Sequence, residues 1–132
     1  MTAQQLARAL GLLTGLIFAA GTAAVNAQDA AVQRGAAKFQ HSCAPCHGPG
    51  PGDDGRAMLP GTAALQIKYN GTVPAVLEAR TGLTADVLKV FLRQGSWSMP
   101  PFRPTEVTDA EIEDIAAYLA ESSKAAASAA QR

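Results

Sequence analysis

The two cysteines of this chain lie within one short motif, Cys43-Ala44-Pro45-Cys46-His47. Two thiols separated by two residues, with a histidine directly after the second, form the attachment sequence of a c-type haem. Each thiol can bond one vinyl group at the porphyrin edge, and the histidine is then held beneath the iron. The motif therefore predicts one covalent haem c, attached through Cys43 and Cys46, with His47 as the proximal axial ligand.

An apolar segment near the amino terminus has the layout of a secretory signal peptide. Arg8 precedes an uncharged, mostly apolar run, and Val25-Asn26-Ala27 is a small-x-small cleavage pattern. An uncleaved membrane anchor is the alternative, but glycines and threonines interrupt the segment, which is marginal in length for a span. We expect a signal peptide over residues 1–27, a domain over residues 28–122 and a flexible Ala/Ser-rich tail over residues 123–132. The protein is then periplasmic, with no membrane span after cleavage.

Three other interpretations of the cysteine motif compete with haem attachment. A thioredoxin-type dithiol would follow a strand of a parallel sheet, and the sequence indicates neither. A zinc site would need four ligands, and His41, Cys43, Cys46 and His47 lie too close in sequence to surround a tetrahedral ion easily. A chance match is the third, because the motif specifies only three residues. Both cysteines of an exported chain lie in the motif, which favours haem.

Charge and aromatic content restrict the class of protein further. The chain has 11 basic and 11 acidic side chains, and aromatic residues make up 5%. Balanced charge argues against a nucleic-acid-binding protein, which would carry a basic excess. So few aromatic side chains fill the core of a small domain poorly, and a cofactor could supply the missing apolar volume. Near-neutral charge also predicts that docking to partners depends only weakly on salt.

The second axial position of the iron has three candidate ligands, Met58, Met99 and His41. Met99 is favoured because two prolines follow it and hold the backbone as an extended loop. Its distance along the chain from His47 also lets it reach the opposite haem face. Met58 would have to cross the haem within one loop, and His41 should emerge on the proximal side. An open sixth position and a core-filling role for Met99 stay as alternatives.

Periodicity and capping signals place the motifs on helices. Apolar spacing predicts helices near residues 30–41, 62–69, 73–80 and 84–93. The last has Thr84 as its N-cap and an apolar stripe of Val87, Leu88, Phe91 and Leu92. Thr108 and Glu111 form a capping box before a final amphipathic helix. Gly35 in the first helix suggests close packing by another helix.

The haem motif near the start, Met99-Pro100-Pro101 late in the chain and the final helix together resemble small monohaem class I cytochromes c. The resemblance implies an all-α fold of three to five helices wrapped around one haem, with the amino- and carboxy-terminal helices packed together. Gly35 and Phe39 would then meet Tyr118. It also implies that the carbonyl of Pro60 accepts a hydrogen bond from the His47 ring and fixes its tautomer.

Residues 60–62 and 82–102 are similar to bacterial cytochromes that serve periplasmic flavin dehydrogenases, of the p-cresol methylhydroxylase cytochrome-subunit type. This similarity implies a carrier of single electrons, free or bound as a dehydrogenase subunit, and not itself an enzyme with catalytic residues. Its donor would be a flavin or quinoprotein dehydrogenase, and its acceptor a terminal oxidase or another cytochrome. The alternative is a haem-based sensor or peroxidase-like protein in which Met99 is displaceable.

Three residues near Met99 have roles that the sequence leaves open. Trp97 either lines the haem cleft or belongs to the core. Arg93 and Arg103 either pair with haem propionates or remain solvated.

Overall fold

The computed structural model describes residues 27–132, which form five α-helices and no strand. The helices are α1 (27–42), α2 (Ala44–His47), α3 (Pro60–Tyr69), α4 (Ala85–Gln94) and α5 (Asp109–Ala130), with a 3₁₀ turn at Leu77–Ala79. The predicted all-α class is therefore confirmed. Residues Ala31–Arg132 form one compact unit. Of the preceding unit only residues 27–30 are described, and they are helical.

The signal peptide predicted over residues 1–27 lies outside the described residues, apart from Ala27. Across residues 27–132, no helix combines the length and the apolar character that a membrane span requires.

Helices α1 and α5 pack together at a very close backbone approach. Gly35 of α1 faces the backbone of Asp114 and Ile115, and a Cβ atom at position 35 would overlap the carbonyl oxygen of Asp114. The rings of Phe39 and Tyr118 lie 5.4 Å apart with an interplanar angle of 48°. These contacts confirm the predicted pairing of the two helices and explain the glycine inside a helix, where it otherwise costs stability.

Helix α5 begins at the predicted capping box. The Thr108 hydroxyl accepts from the backbone N–H of Glu111 at 3.2 Å, and the Glu111 carboxylate accepts from the backbone N–H of Thr108 at 2.7 Å. The helix continues to Ala130, through residues that the sequence assigned to a flexible tail. Ser123 is buried, and its hydroxyl donates to the carbonyl of Ala120. Alanine has the highest helix propensity of all residues, so an Ala-rich segment readily extends the helix before it.

The hydrophobic core lies where α1, α4 and α5 meet. Its buried members are Phe39, Leu88, Leu92, Val107, Ile112, Ile115 and Leu119. Thr84 caps α4 as predicted, and its hydroxyl accepts from Val87 N. Only half of the predicted stripe on α4 is buried, because Val87 and Phe91 remain 36% and 41% exposed. The apolar face of α4 is thus wider than the area that the rest of the chain covers.

The segment after α3 differs from the sequence prediction. A helix was expected over residues 73–80, but only the 3₁₀ turn Leu77–Ala79 forms. Pro74 lies before this turn in irregular backbone, and its carbonyl accepts a hydrogen bond from Arg80 Nε at 3.0 Å. A side chain thus bonds the carbonyl that a helix would have bonded through its backbone. Helix α3 begins at Pro60, two residues earlier than predicted, because proline suits the first position of a helix.

Candidate functional site

The cysteine motif forms a helical turn that follows directly from α1. The backbone N–H of Cys43 donates to the carbonyl of Phe39 at 2.8 Å, and that of His47 donates to the carbonyl of Cys43 at 2.9 Å. Residues three apart on a helical turn lie on the same side, so Cys43 and Cys46 can present their sulfurs to one ligand. The local backbone therefore gives the arrangement that attachment to two neighbouring vinyl groups requires.

The two thiols differ in their surroundings. Cys43 is half-buried against the hydrophobic core, whereas Cys46 is exposed. Burial raises the pKa of the Cys43 thiol to about 11. A catalytic or redox-active thiol normally has a lowered pKa, because the thiolate is the nucleophile. The surroundings of Cys43 therefore disfavour the thioredoxin-type interpretation.

The His47 ring lies against the first turn of α3. A Cβ atom at Gly61 would lie 2.6 Å from His47 Cε1 and 2.8 Å from both His47 Nδ1 and the carbonyl oxygen of Cys46. Next to it, the Thr62 hydroxyl donates a buried hydrogen bond of 2.9 Å to the carbonyl of Gly48. The motif and α3 are therefore held together at backbone distance, and only glycine fits at position 61.

The electrostatic environment keeps the His47 imidazole neutral. Its pKa is lowered, first by burial and then by the positive charge of Arg80. Neutral imidazole is the form that binds a metal through a ring nitrogen. The other requirement, an accepting group for the second ring nitrogen, is not met, because Nδ1 is buried and has no hydrogen-bond partner.

The hydrogen bond predicted between the His47 ring and the carbonyl of Pro60 is therefore not formed in this structure. Pro60 is the first residue of α3, so its carbonyl is directed along the helix axis toward the following turn. The first turn of α3 nevertheless lies against the His47 ring, at Gly61, the residue that follows Pro60. A cofactor-binding role for Pro60 remains a prediction.

Met99 closes a tight turn after α4. Backbone hydrogen bonds join Ser96 N to Met99 O at 3.0 Å and Met99 N to Ser96 O at 2.9 Å. Gly95 and Trp97 have positive φ angles of 69° and 55°, which the narrow turn requires. The half-buried Met99 packs against the same hydrophobic core as Cys43. We call residues 95–99 the methionine turn.

The other two candidate ligands are placed less favourably. Met58 is 39% exposed in the irregular segment between α2 and α3, and His41 is exposed on α1. Neither belongs to the group of residues packed on the core. The structure thus packs both Cys43 and Met99 against the hydrophobic core, while ligation by Met99 remains a prediction.

Arg93 and Arg103 are both engaged by protein groups. Arg93 Nη1 donates to the carbonyl of Phe102 at 3.1 Å, and Nη2 donates to the carbonyl of Val107 at 2.8 Å and to the Asp109 carboxylate at 2.6 Å. Arg103 pairs with Glu106 at 3.0 Å. Arg93 therefore holds the loop after the methionine turn to α4 and to the start of α5.

Trp97 is fully exposed at the tip of the methionine turn. A place in the hydrophobic core, one of the two roles that the sequence left open, is therefore wrong. Its left-handed backbone conformation directs the side chain away from the core.

The residues present fit a covalent haem in four respects. Two thiols lie on one helical turn, a half-buried imidazole with a lowered pKa follows, and a thioether packs on the same core. In addition, large apolar side chains remain exposed, namely Met58, Ile67, Val73, Val87, Val90, Phe91 and Trp97. Val87, Val90 and Phe91 share one face of α4 by their spacing. An apolar group bound inside the fold would cover such surface, which small proteins rarely leave exposed in large contiguous patches.

The zinc interpretation gains no support from the arrangement of side chains. Among residues 27–132, no three His, Cys, Asp or Glu side chains lie close enough together to hold a metal ion. His41, Cys43, Cys46 and His47 therefore do not gather as one set of ligands.

Sequence reasoning missed two residues of the site, Gly61 and Arg80. Gly61 had a weak signal, because it follows the proline that was assigned to this region. Arg80 had none, because its effect on the pKa of His47 depends on how the segment after the 3₁₀ turn packs in the folded chain.

Comparison with known protein families identifies this region of the chain. The family model described as cytochrome c oxidase, cbb3-type, subunit III matches residues 30–119. The matched region is more than half of the chain and contains the cysteine motif, Pro60 and Met99. No curated protein and no solved structure matches.

Proposed function

Since the chain belongs to this cytochrome c family, we propose that it is an exported carrier of single electrons with one haem c. The observation that carries the proposal is the cysteine motif on one helical turn, with the half-buried His47 ring packed against Gly61 of α3. Haem-based electron transfer follows from the family. The compartment, the donor and the acceptor are the parts that we propose.

Four side chains would hold the haem. Cys43 and Cys46 would bond its edge, His47 would bind the iron on the proximal side, and Met99 would bind it on the distal side. When bound, the haem supplies a one-electron couple, and ligation by His and Met gives it a higher potential than two histidines would. Gly61 keeps the His47 ring in place, and the hydrogen bonds of the methionine turn keep Met99 in place. Axial ligands that are fixed in this way suit electron transfer, because neither His47 nor Met99 would have to move when the iron changes its oxidation state.

We propose a periplasmic location on the basis of residues 1–27. Their apolar run and small-x-small end are typical of a signal peptide. Covalent attachment is also suited to a compartment outside the cytoplasm, because a haem bonded through Cys43 and Cys46 cannot be lost.

We propose a periplasmic dehydrogenase as the donor and a terminal oxidase or another cytochrome as the acceptor. The similarity to cytochromes that serve flavin dehydrogenases supports the donor. The description of the matching family, which names a terminal oxidase subunit, supports a respiratory acceptor. Both partners would meet this protein in short encounters, which typically use small interfaces.

The charge distribution supports docking through an uncharged surface. Removal of Arg8 with the signal peptide leaves 10 basic and 11 acidic side chains. Local ion pairs engage many of these, including Arg34–Asp114, Lys38–Glu111 and Arg103–Glu106. Screening by salt acts on unbalanced exposed charge, so the rate of electron transfer should vary little with ionic strength.

The test is a visible spectrum of protein matured in a periplasm, recorded oxidised, reduced, and reduced with carbon monoxide. The carrier function predicts sharp low-spin bands, a far-red methionine–iron band in the oxidised protein and no response to carbon monoxide. A high-spin spectrum that changes on addition of carbon monoxide would contradict it. The protein would then be a ligand-binding or peroxidase-like haem protein.

Two methionine variants identify the sixth ligand. Met99→Ala should abolish the far-red band, open the iron to carbon monoxide and lower the potential by on the order of 0.1 V, since axial ligands shift haem potentials over several tenths of a volt. Met58→Ala is the matched control, because it removes an exposed thioether and should leave spectrum and potential unchanged. The reverse pattern would assign the ligand to Met58.

A further inference from the structure

The single tryptophan of the chain lies outside the packed structure. Trp97 is at the tip of the methionine turn, and its side chain is 100% exposed. Tryptophan has a large side chain that is highly buried on average in folded proteins. The exposed apolar side chains of α4 are each partly covered by the chain, whereas Trp97 gains nothing from packing. Its presence at this position therefore needs a reason other than the stability of the fold.

The backbone of the methionine turn makes a tryptophan more unusual there. The paired hydrogen bonds between Ser96 and Met99 leave Trp97 and Ser98 as the two central residues of a hairpin turn. Trp97 has a φ angle of 55°, in the left-handed region that such turns usually fill with glycine or asparagine. A bulky side chain is strained there. Strained residues of this kind cluster at functional sites, which supports a role in binding.

The chain around Trp97 carries no charge. Residues 94–102 include no acidic or basic side chain. The charged residues that flank this stretch, Arg93 and Arg103, are engaged by Asp109 and Glu106. A charged partner surface would lose its hydration here without gaining an opposite charge, whereas an apolar surface would lose little. The methionine turn therefore fits a partner surface that is uncharged and apolar.

The position of Trp97 specifies the kind of partner. It lies two residues before Met99, the proposed distal ligand of the iron. A protein that contacts Trp97 is therefore close to Met99, and electron transfer is efficient only over short distances. We propose that Trp97 anchors the encounter with a redox protein whose own contact surface is uncharged and apolar. One electron passes in each encounter, so that one protein is oxidised and the other is reduced, and no bond forms or breaks.

A tryptophan suits a short-lived contact of this kind. Tryptophan is enriched among the few interface residues that carry most of the binding energy, and it has only two side-chain torsions to fix on binding. One exposed anchor gives a small interface, as transient redox encounters have. The inference rests on the proposed electron-carrier function and adds to it the docking surface and the chemistry of the partner.

The first experiment measures electron transfer from the reduced holoprotein to a blue-copper protein that has an apolar, uncharged surface around its copper. Trp97→Asn removes the ring with a residue that suits the left-handed turn, and Trp97→Phe keeps an aromatic side chain. We expect Trp97→Asn to lower the second-order rate constant about tenfold, as the loss of one anchor residue does, and Trp97→Phe to retain most of it.

The controls separate docking from the properties of the iron site. Arg103→Gln removes a charge from the same loop and should leave the rate with the blue-copper protein unchanged. Ferricyanide is a small oxidant that needs no docking surface, so at high ionic strength its rate should be the same in all three variants. The potential and the visible spectrum should also stay at their wild-type values.

A second readout does not depend on electron transfer. Because Trp97 is the only tryptophan, its indole N–H gives one signal in the nuclear magnetic resonance spectrum of the labelled protein. The apolar blue-copper protein, added with both proteins reduced, should shift this signal until the site is saturated. A blue-copper protein with an acidic contact surface should shift it much less.

Several outcomes would overturn the proposal while leaving the carrier function intact. Wild-type rates in Trp97→Asn, or an indole signal that the apolar protein leaves unshifted, show that Trp97 is not the anchor. An altered potential or spectrum in Trp97→Asn shows that the ring lies on the haem. An equal shift with the acidic protein contradicts the partner chemistry. A shift that grows with the concentration of this protein alone identifies a second copy as the occupant.

Two further outcomes concern the proposed function itself. An open sixth position in the wild type contradicts the carrier function but leaves the indole titration valid as a test of the Trp97 surface. A wild-type protein without covalent haem overturns both.

Discussion

The two sides of the candidate haem site are held by different forces. On the proximal side, the cysteine motif continues α1 as a helical turn, and Gly61 brings the backbone of α3 against His47. On the other side, the methionine turn follows α4, and Met99 packs against the core. Arg93 of α4 makes three hydrogen bonds to the loop after this turn and to the start of α5.

This difference predicts how each side of the site responds to substitution. On the proximal side, the backbone and the His47 ring leave no room for a side chain at position 61. The loop after the methionine turn is joined to α4 and α5 by the side chain of Arg93. We therefore expect a change on the proximal side either to prevent haem attachment or to have no effect on it. A change on the methionine side should weaken the ligation of the iron by degrees.

The largest expected effect breaks the proximal side at Gly61. In Gly61→Val, the new side chain would overlap the His47 ring and the carbonyl of Cys46, and neither can move without shifting a helix. Overpacking of this kind costs about 1–3 kcal/mol or more. We expect most of the covalent haem to be lost, as measured by the haem absorbance per protein after maturation.

The control for this prediction is Ala64→Val, which adds a branched side chain at an exposed position of the same helix. It should retain wild-type haem content, since β-branching alone costs only a few tenths of a kcal/mol in a helix. A Gly61→Val protein with full haem content and a low-spin spectrum would show that α3 does not constrain His47.

A smaller effect is expected on the methionine side, from Arg93→Gln. The change removes a charged donor from two carbonyls and a carboxylate, which should cost about 1–3 kcal/mol. The loop should loosen before the fold is lost. On heating, the far-red methionine–iron band should therefore disappear at a lower temperature than the helical circular dichroism signal.

Arg103→Gln is the matched control on the same loop. Its exposed pair with Glu106 should contribute no more than about 1 kcal/mol. If Arg103→Gln lowers the temperature at which the far-red band disappears as much as Arg93→Gln does, the loop is not held mainly by Arg93.

The smallest effect concerns the capping box where the methionine side joins α5. The Glu111 carboxyl has its pKa lowered to about 2, first by the backbone N–H of Thr108 and then by Lys38 and the Thr108 hydroxyl. A carboxyl with a lowered pKa in the folded state stabilises the protein above its unfolded pKa of about 4.5. That contribution is lost as the pH falls from about 4.5 toward about 2.

Glu111→Gln should therefore reduce stability at neutral pH and flatten its decline in acid. The urea midpoint measured at about pH 7 and about pH 3 tests this, since the two values should differ less in the variant than in the wild type. Glu113→Gln, at an exposed position of the same helix, should leave the difference unchanged. An equal flattening by both variants would assign the effect to overall charge.

Much of the fold could be predicted because its signals are local. The capping box of Thr108 and Glu111 and the Thr84 cap of α4 depend on residues three apart, and both formed as predicted. The glycine inside α1 indicated a helix crossing, which the contact with Asp114 confirmed. In place of the helix expected over residues 73–80, only the turn Leu77–Ala79 formed, and the carbonyl of Pro74 accepts from the side chain of Arg80, a contact that no local pattern encodes.

The sequence by itself determined the chemistry of this protein. The motif Cys43-x-x-Cys46-His47 specifies covalent haem attachment whatever the fold of the rest of the chain, because the chemistry depends on residues that are neighbours in sequence. Only the tertiary structure decided which groups surround the site. Two contacts join residues far apart in the chain: Gly61 lies against His47, and Arg93 donates a hydrogen bond to the carbonyl of Val107. The burial of Arg80 Nη2 without a hydrogen-bond partner likewise depends on the folded chain. No local pattern encodes such contacts, since they depend on how the helices pack.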